Sequence, residues 1–301
     1  MPQRIAVVTG GLGGLGVAIC RALAQAGRTV IAADLPASTE QLDRFRAHTA
    51  GLNIETAAVD VADFDACAAF AHDIEARHGA LDILVNNAGI TRDATLRKMD
   101  KAQWDAVIGV NLDSVFNLCR HAVDGMQARG FGRIVNISSV SGQTGNFGQV
   151  NYAAAKAGLH GFSMSLAREV ARKGVTVNSV SPGYVETPMT RAMPDEVRDR
   201  TVASVPVGRI GAAGEVPEAG KLLKTPPRNT GYVEVSETIS KAAYRAEKEA
   251  DIAILEQQMS GENALNAGLS GQQIAIIRDN LRKIAATPGD TVSVRRYLIV
   301  P

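Results

Sequence analysis

The sequence predicts an α/β fold: a doubly wound parallel sheet with helices on both faces, followed by an atypical, mostly helical C-terminal extension. Three observations carry the prediction. Short apolar runs alternate with helix-periodic stretches from residue 4 to residue 181, and such alternation implies parallel strands joined by crossover helices. The first strand-to-helix turn is a bare glycine run, Val8-Thr9-Gly10-Gly11-Leu12-Gly13-Gly14-Leu15-Gly16. Near Gly220 the texture changes to a basic, proline-interrupted stretch and then to one rich in Ala, Glu and Lys. The division expected is therefore 1–220 and 221–301.

The elements follow in order. Arg4 to Val8 is a short apolar run bounded by glycines, which reads as a buried strand. Val17 to Ala26 has helical periodicity and stops at Gly27, a helix-ending glycine. Strands are expected at Thr29–Ala33, Ile54–Val59 and Leu81–Val85, with a helix near Asp63–His78. A long helix is expected over Lys101–Arg129, a strand over Gly132–Ser138, a helix over Tyr152–Arg172 and a strand over Val175–Ser181. In the extension, Ser236 to Ser260 reads as a long exposed helix. Ser270 and Gln273 form a capping-box pattern, and Ile274, Ile277, Leu281 and Ile284 share one helical face behind it. Thr287 to Asp290 is a turn and Thr291 to Val300 is β-rich, completing a helical hairpin plus a strand.

Composition narrows the function classes. The chain has 301 residues, 46% of them apolar, enough for a sizeable core. Its 32 basic and 31 acidic residues leave a formal charge of +1, which gives no electrostatic reason to expect nucleic acid or a membrane surface. Cys20, Cys67 and Cys119 lack metal-ligand spacing and read as reduced residues of a cytoplasmic protein. No apolar run approaches the roughly 18 residues of a spanning helix, and no leader pattern is present. His72, His78 and His160 have no metal-binding spacing, so no metal is expected, and they read as solvated or helix-end residues. Trp104 reads as a packing residue, and Arg295-Arg296 as a solvated pair.

A glycine turn between strand and helix lets backbone N–H groups approach a phosphate, and the helix N-terminus adds partial positive charge there. Gly10, Gly14, Leu15 and Gly16 are thus candidate nucleotide-binding residues. Asp34 lies 18 residues after Gly16, where the second strand ends. A carboxylate there accepts hydrogen bonds from both ribose hydroxyls of an adenosine and repels a 2′-phosphate. Leu35 and Gly13 offer no cation for that phosphate, so NAD(H) is favoured, with NADP(H) still open because Arg28 can swing in. The plainer reading of Asp34 is a turn cap.

Tyr152 and Lys156 are four apart on a helix and share a face. A phenol is a poor acid at neutral pH, and a nearby ammonium is expected to favour the phenolate and lower its pKa. Tyr152 can then give a proton to a carbonyl oxygen as hydride reaches the carbon. Ser139, thirteen residues upstream at a strand end, can hydrogen-bond the same oxygen.

These residues resemble the classical short-chain dehydrogenases/reductases, whose fold is of the Rossmann type. The carriers are Thr9-Gly10-x-x-x-Gly14-x-Gly16, Asn86-Asn87-Ala88-Gly89, Asn111, Ser139, Tyr152, Lys156 and Pro182-Gly183, over about residues 3–219. The resemblance implies that Asp60 and Val61 flank the adenine and that Asn87 and Gly89 line the cofactor groove. It implies that Asn111 holds a water in a proton relay with Lys156, which also binds the nicotinamide ribose. Pro182, Gly183 and Thr187 would contact the nicotinamide end. Within the family the stretches Asn87–Asp93, Gly132–Val140, Gly158–Phe162 and Val175–Tyr184 are similar to the acetoacetyl-CoA reductases of polyhydroxybutyrate synthesis. That similarity implies an acyl thioester substrate, with Phe147, Gln149 and Tyr184 lining its pocket, and a homo-oligomer. Those reductases typically use NADPH, so Asp34 departs from the commoner pattern. The 3-oxoacyl carrier-protein reductases share most of these motifs, and both carriers stay open.

The tail departs from the family. A final strand with an Ile-Thr-Gly opening and a Val-Asp-Gly-Gly ending, often part of a tetramer interface, is expected after residues like 208–219 and is missing. Thr230 to Val235 is a candidate for its seventh, edge position in the sheet. The altered tail motivates a second reading, a nucleotide-binding module with weak catalysis whose tail serves assembly or a partner.

Overall fold

The structure is a computed structural model. It describes residues 3–187, 190, 195–205, 209–219, 233–240, 249, 252, 278–279, 281 and 291–298. The chain divides into two compact units, Met1–Val233 with Ile299–Pro301, and Glu234–Leu298.

In the first unit the strands are β1 (Ile5–Thr9), β2 (Thr29–Asp34), β3 (Ile54–Ala58), β4 (Ile83–Asn86), β5 (Gly132–Ile137) and β6 (Val175–Val180). They form one parallel sheet in the order β3-β2-β1-β4-β5-β6. Register places Ile31, Val7, Leu84, Ile134 and Val177 in one row across five strands. All five are buried in the core on one face, under α3 (Phe64–His78), α5 (Ser114–Ala128) and α7 (Val150–Val170), which follows the short α6 (Ser141–Thr144). The alternate residues, among them Val8, Val30, Ala32, Ile83 and Val135, are buried on the other face with α1 (Gly14–Gln25) and α2 (Thr39–His48). Burial on both faces explains why these strands read as unbroken apolar runs rather than as alternating ones.

Local chemistry sets the helix ends. Gly27, just past α1, has φ +78°, a conformation in which a Cβ is strained. Asp63 caps α3 by accepting from the Ala66 N–H, and Asp100 with Gln103 forms a reciprocal capping box at α4 (Lys101–Ile108). The single helix expected over Lys101–Arg129 is interrupted. Residues Gly109–Asp113 wind as one π turn between α4 and α5, and Asn111 sits inside it. The inserted residue is accommodated because the Asn111 side chain binds backbone groups of another loop. Helix α2, absent from the sequence reading, is polar almost throughout and buries only Phe45.

Two expectations for the extension are corrected. Residues 236–240 belong to a strand, not to a long helix: β7 runs Val233–Ser240. Its Val233, Val235, Thr238 and Ile239 are β-branched, which favours extended backbone. β7 also does not supply a seventh position in the main sheet; it pairs with β8 (Thr291–Leu298) in a separate two-stranded sheet. The turn at 287–290, the capping pattern at Ser270 and Gln273, and the apolar face apart from Leu281 lie outside the described residues.

Candidate active site

Every predicted site residue of the loops follows the carboxyl end of a parallel strand or ends it. The sheet order reverses direction between β1 and β4, so their following loops turn to opposite faces and leave a crevice. Thr9, the last residue of β1, locks the two loops. Its hydroxyl oxygen accepts from the N–H groups of Asn87 (2.9 Å) and Ala88 (3.0 Å). The Asn87 amide donates back to the carbonyls of Thr9 (2.9 Å) and Gly10 (3.2 Å).

Gly10, Gly11 and Gly16 leave no room for side chains. Gly10 has φ +60°, and a Cβ on Gly16 would lie 2.1 Å from the Gly10 carbonyl oxygen. Helix α1 starts at Gly14 with Gly13 as its N-cap and no side-chain cap. Its first-turn N–H groups, those of Gly14, Leu15 and Gly16, therefore carry the positive end of the helix without a side-chain acceptor. Asp34 is pinned beside this loop: one carboxylate oxygen accepts from the Leu12 N–H (3.1 Å), the other from the Leu35 N–H (2.9 Å). It ties the end of β2 to the glycine loop, and each oxygen keeps a further acceptor site. Asp60, after β3, is exposed and accepts from the Ala62 N–H. Val61 is buried, and its carbonyl accepts from Asn117.

Asn111 is buried, and its side chain makes three hydrogen bonds to backbone groups. Its amide N–H₂ donates to the carbonyls of Ile90 (2.8 Å) and Val107 (2.9 Å), and its oxygen accepts from the Ile90 N–H (3.1 Å). Gly89 touches the same place: a Cβ there would lie 2.6 Å from the Asn111 Oδ1 and 3.5 Å from the Lys156 Nζ. Asn111 and Lys156 thus converge behind Gly89.

Helix α7 carries Tyr152 and Lys156 and is stitched to the sheet by polar groups. Asn136 of β5 donates to the Ser163 hydroxyl, which donates to the Leu159 carbonyl. Lys156 is buried, and its Nζ donates to the Ile137 carbonyl at 2.7 Å. The same Nζ lies 5.7 Å from the centroid of the Tyr152 ring. Burial lowers the Lys156 pKa to about 8. Ser139 follows β5, and its hydroxyl is within hydrogen-bonding reach of Tyr152. The Tyr152 pKa moves against expectation. Burial raises it, the nearby Asp93 carboxylate adds to the rise, and the Ser139 hydrogen bond opposes it. Desolvation of the phenolate outweighs the Ser139 hydrogen bond, so Tyr152 keeps its proton at neutral pH and is a donor.

The three residues expected at an acyl pocket differ. Phe147 is 89% exposed. The Gln149 side chain donates to Asp93 (2.9 Å) and accepts from Asn146 (2.9 Å), bracing the loop before α7. Tyr184 is half-buried, and its carbonyl accepts from the Gly211 N–H. Pro182 and Gly183 follow β6, with the Pro182 carbonyl accepting from Val140 N–H beside Ser139. Thr187 pairs with Thr190.

Sequence reasoning read His160 as a solvated or helix-end residue; it is half-buried, among the hydroxyls of Ser138, Ser179 and Ser181. The available signals were its spacing, one turn beyond Lys156, and the Ser179-x-Ser181 alternation on one strand face. Among the described residues no group of histidine, cysteine and carboxylate side chains has metal-site geometry. The three cysteines are free and buried, and burial raises each thiol pKa to about 12.

The family model for short chain dehydrogenases matches residues 4–198. The chain belongs to that family. It is 53% identical over 218 residues to an acetoacetyl-CoA reductase of Allochromatium vinosum, covering 72% of this chain and 89% of that protein. It is 52% identical over 217 residues to an acetoacetyl-CoA reductase of Cupriavidus necator, covering 72% and 88%. Identity to a 3-oxoacyl-[acyl-carrier-protein] reductase of Escherichia coli is 46% over 220 residues, covering 73% and 89%. The crystal structure of gox2181 is similar with a TM-score of 0.70 and 33% identity, over 75% of this chain and 90% of that one. A short-chain dehydrogenase is an oxidoreductase that uses a nicotinamide dinucleotide and a small-molecule substrate. The bare glycine turn and uncapped α1 fit the pyrophosphate of such a cofactor. Among the described residues no helix is long and apolar enough to cross a membrane.

Proposed function

We propose that the protein reduces a 3-oxoacyl thioester, acetoacetyl-CoA first, to the 3-hydroxyacyl thioester with NADH in the cytoplasm. The observation that carries this reading is the meeting of Ser139, a protonated Tyr152 and a buried Lys156 beside a phosphate-accepting glycine turn. The reductases named above, at 53% and 52% identity, supply the substrate class.

The bound cofactor supplies the hydride. Gly10, Gly14, Leu15 and Gly16 would hold its phosphates, Asp34 its adenosine ribose, and Asn87, Gly89, Pro182, Gly183 and Thr187 the remainder. Tyr152 gives its phenolic proton to the substrate carbonyl oxygen. Ser139 hydrogen-bonds the same oxygen and steadies the charge that develops there. Lys156, held by the Ile137 carbonyl, keeps a cation next to the phenolate that remains. Burial lowers the Lys156 pKa, which suits the ammonium to taking part in the return of a proton to Tyr152. Asn111 would hold a water in the proton relay with Lys156, while its side chain fixes the backbone behind Gly89.

Asp34 supports the preference for NADH, since a carboxylate pinned at the end of β2 repels a 2′-phosphate. The test is NADH oxidation by the full chain with acetoacetyl-CoA, repeated with NADPH and with the carrier-protein thioester. Faster turnover with NADH is expected, and Asp34→Ser reduces the NADH preference by about tenfold, a change of about 1.4 kcal/mol. Faster turnover with NADPH in the unaltered protein contradicts the cofactor preference. Faster turnover of the carrier-protein thioester moves the assignment to that carrier. No oxidation with either thioester contradicts the reading.

A further inference from the structure

Outside the groups that touch substrate or cofactor, one polar cluster joins three segments that must keep register for the reaction. His160 projects from α7 one turn beyond Lys156. Its Nε2 lies 3.2 Å from the Ser138 hydroxyl and 3.4 Å from the Ser181 hydroxyl, and its Nδ1 lies 3.1 Å from the Ser179 hydroxyl. The three serines are buried at the carboxyl ends of β5 and β6.

The Ser138 proton sets the roles. A serine hydroxyl has one proton, and that of Ser138 goes to the Lys156 carbonyl at 2.7 Å. The Ser138 oxygen can therefore only accept from His160, so the imidazole carries its proton on Nε2. Its Nδ1, left bare, is an acceptor facing the Ser179 hydroxyl at 3.1 Å. Ser138 in turn sits between the two groups that shape the site: the Ile137 carbonyl holds the Lys156 Nζ, and Ser139 meets Tyr152. The Ser138 N–H is itself tied to the Val180 carbonyl at 2.7 Å.

We propose that His160, as the neutral Nε2–H tautomer, is a positioning residue that holds Ser139 in register with Tyr152 and Lys156. Its own atoms touch neither substrate nor cofactor; it acts through Ser138. Burial lowers the imidazole pKa, in keeping with the neutral form. The inference rests on the reductase reading for its kinetic consequence, but not for the tautomer.

Two measurements on the full chain test it. In protein labelled with ¹⁵N-histidine, the His160 ring, assigned by its loss in His160→Gln, is expected to show a protonated Nε2 and a bare Nδ1. A proton on Nδ1 overturns the proposal, whatever the enzyme's activity. In steady-state assays His160→Leu is expected to lower kcat by about 10- to 100-fold, because small misplacements of reacting groups are costly. KM for acetoacetyl-CoA and affinity for NADH stay within about twofold of the unaltered protein, since transition-state contacts alone are lost. His160→Gln, whose amide N–H can take the Nε2 place, recovers most of that rate, and His160→Asn does not. Equal rates in all four proteins, or equal losses in all three variants, overturn the proposal. An unaltered protein inactive with acetoacetyl-CoA and with the carrier-protein thioester instead counts against the reductase reading, and the tautomer measurement still decides the hydrogen-bond arrangement.

Discussion

Lys156 is an ammonium buried against a carbonyl rather than a carboxylate. Moving it from its ordinary pKa of 10.5 to about 8 corresponds to roughly 3 kcal/mol. The sign of its effect on stability is definite. Below pH 8 the group is charged in both folded and unfolded chains, so the full cost of burying the charge is present. Between about pH 8 and 10.5 the folded chain holds fewer protons, so this contribution makes stability rise with pH. Activity moves the other way, because the ammonium is lost as the pH passes 8. A pH profile of kcat is expected to fall above about pH 8, whereas a rate flat to pH 10 contradicts the role given to Lys156. Tyr152, Lys156 and Ser139 were legible in the sequence because two are helical neighbours and the third closes a strand. The direction of the Tyr152 pKa was not, since it depends on how completely the phenol is buried. The partners of His160 were not legible for a related reason: they come from two strands, and local spacing does not reveal them.

The π turn at Gly109–Asp113 shows how an element can be built around one side chain. Asn111 satisfies the Ile90 N–H, the Ile90 carbonyl and the Val107 carbonyl. Asn111→Ala leaves these groups without that partner and is expected to cost about 1–3 kcal/mol in urea denaturation. A loss under about 0.5 kcal/mol, the range of an ordinary surface substitution, contradicts this account of the turn. The periodicity of 101–129 gave no sign of the interruption, because a single inserted residue shifts the helical face without changing composition. Helix α2 was missed for the opposite reason. Its pattern is nearly all polar, and only the Ser38 cap, which accepts from the Gln41 N–H, and the lone buried Phe45 mark it. Strand β7 was partly foreseen from Thr230 to Val235, but its partner, β8, lies some fifty residues further along the chain.

Across the first unit, apolar strands and glycine punctuation made the parallel, doubly wound sheet legible, and the family match covers the same stretch; the strand order that places the crevice comes from the structure. The extension carries no such redundancy, so its strands were read with the wrong neighbours. On the first unit Phe64 of α3 and Phe116 of α5 stack at 6.0 Å between centroids while remaining 42% and 51% exposed. Exposed aromatic surface of this kind favours association of copies. Light scattering of the full chain is expected to give at least twice the 31.7 kDa of one chain; a monomer at micromolar concentration contradicts the homo-oligomer. The most direct test of the central claim is the rate of NADH oxidation by Tyr152→Phe with acetoacetyl-CoA, beside its affinity for NADH. The phenolic proton is expected to be worth at least about 100-fold in kcat, with NADH affinity within about twofold. A Tyr152→Phe protein that turns over at the rate of the unaltered chain would contradict the account.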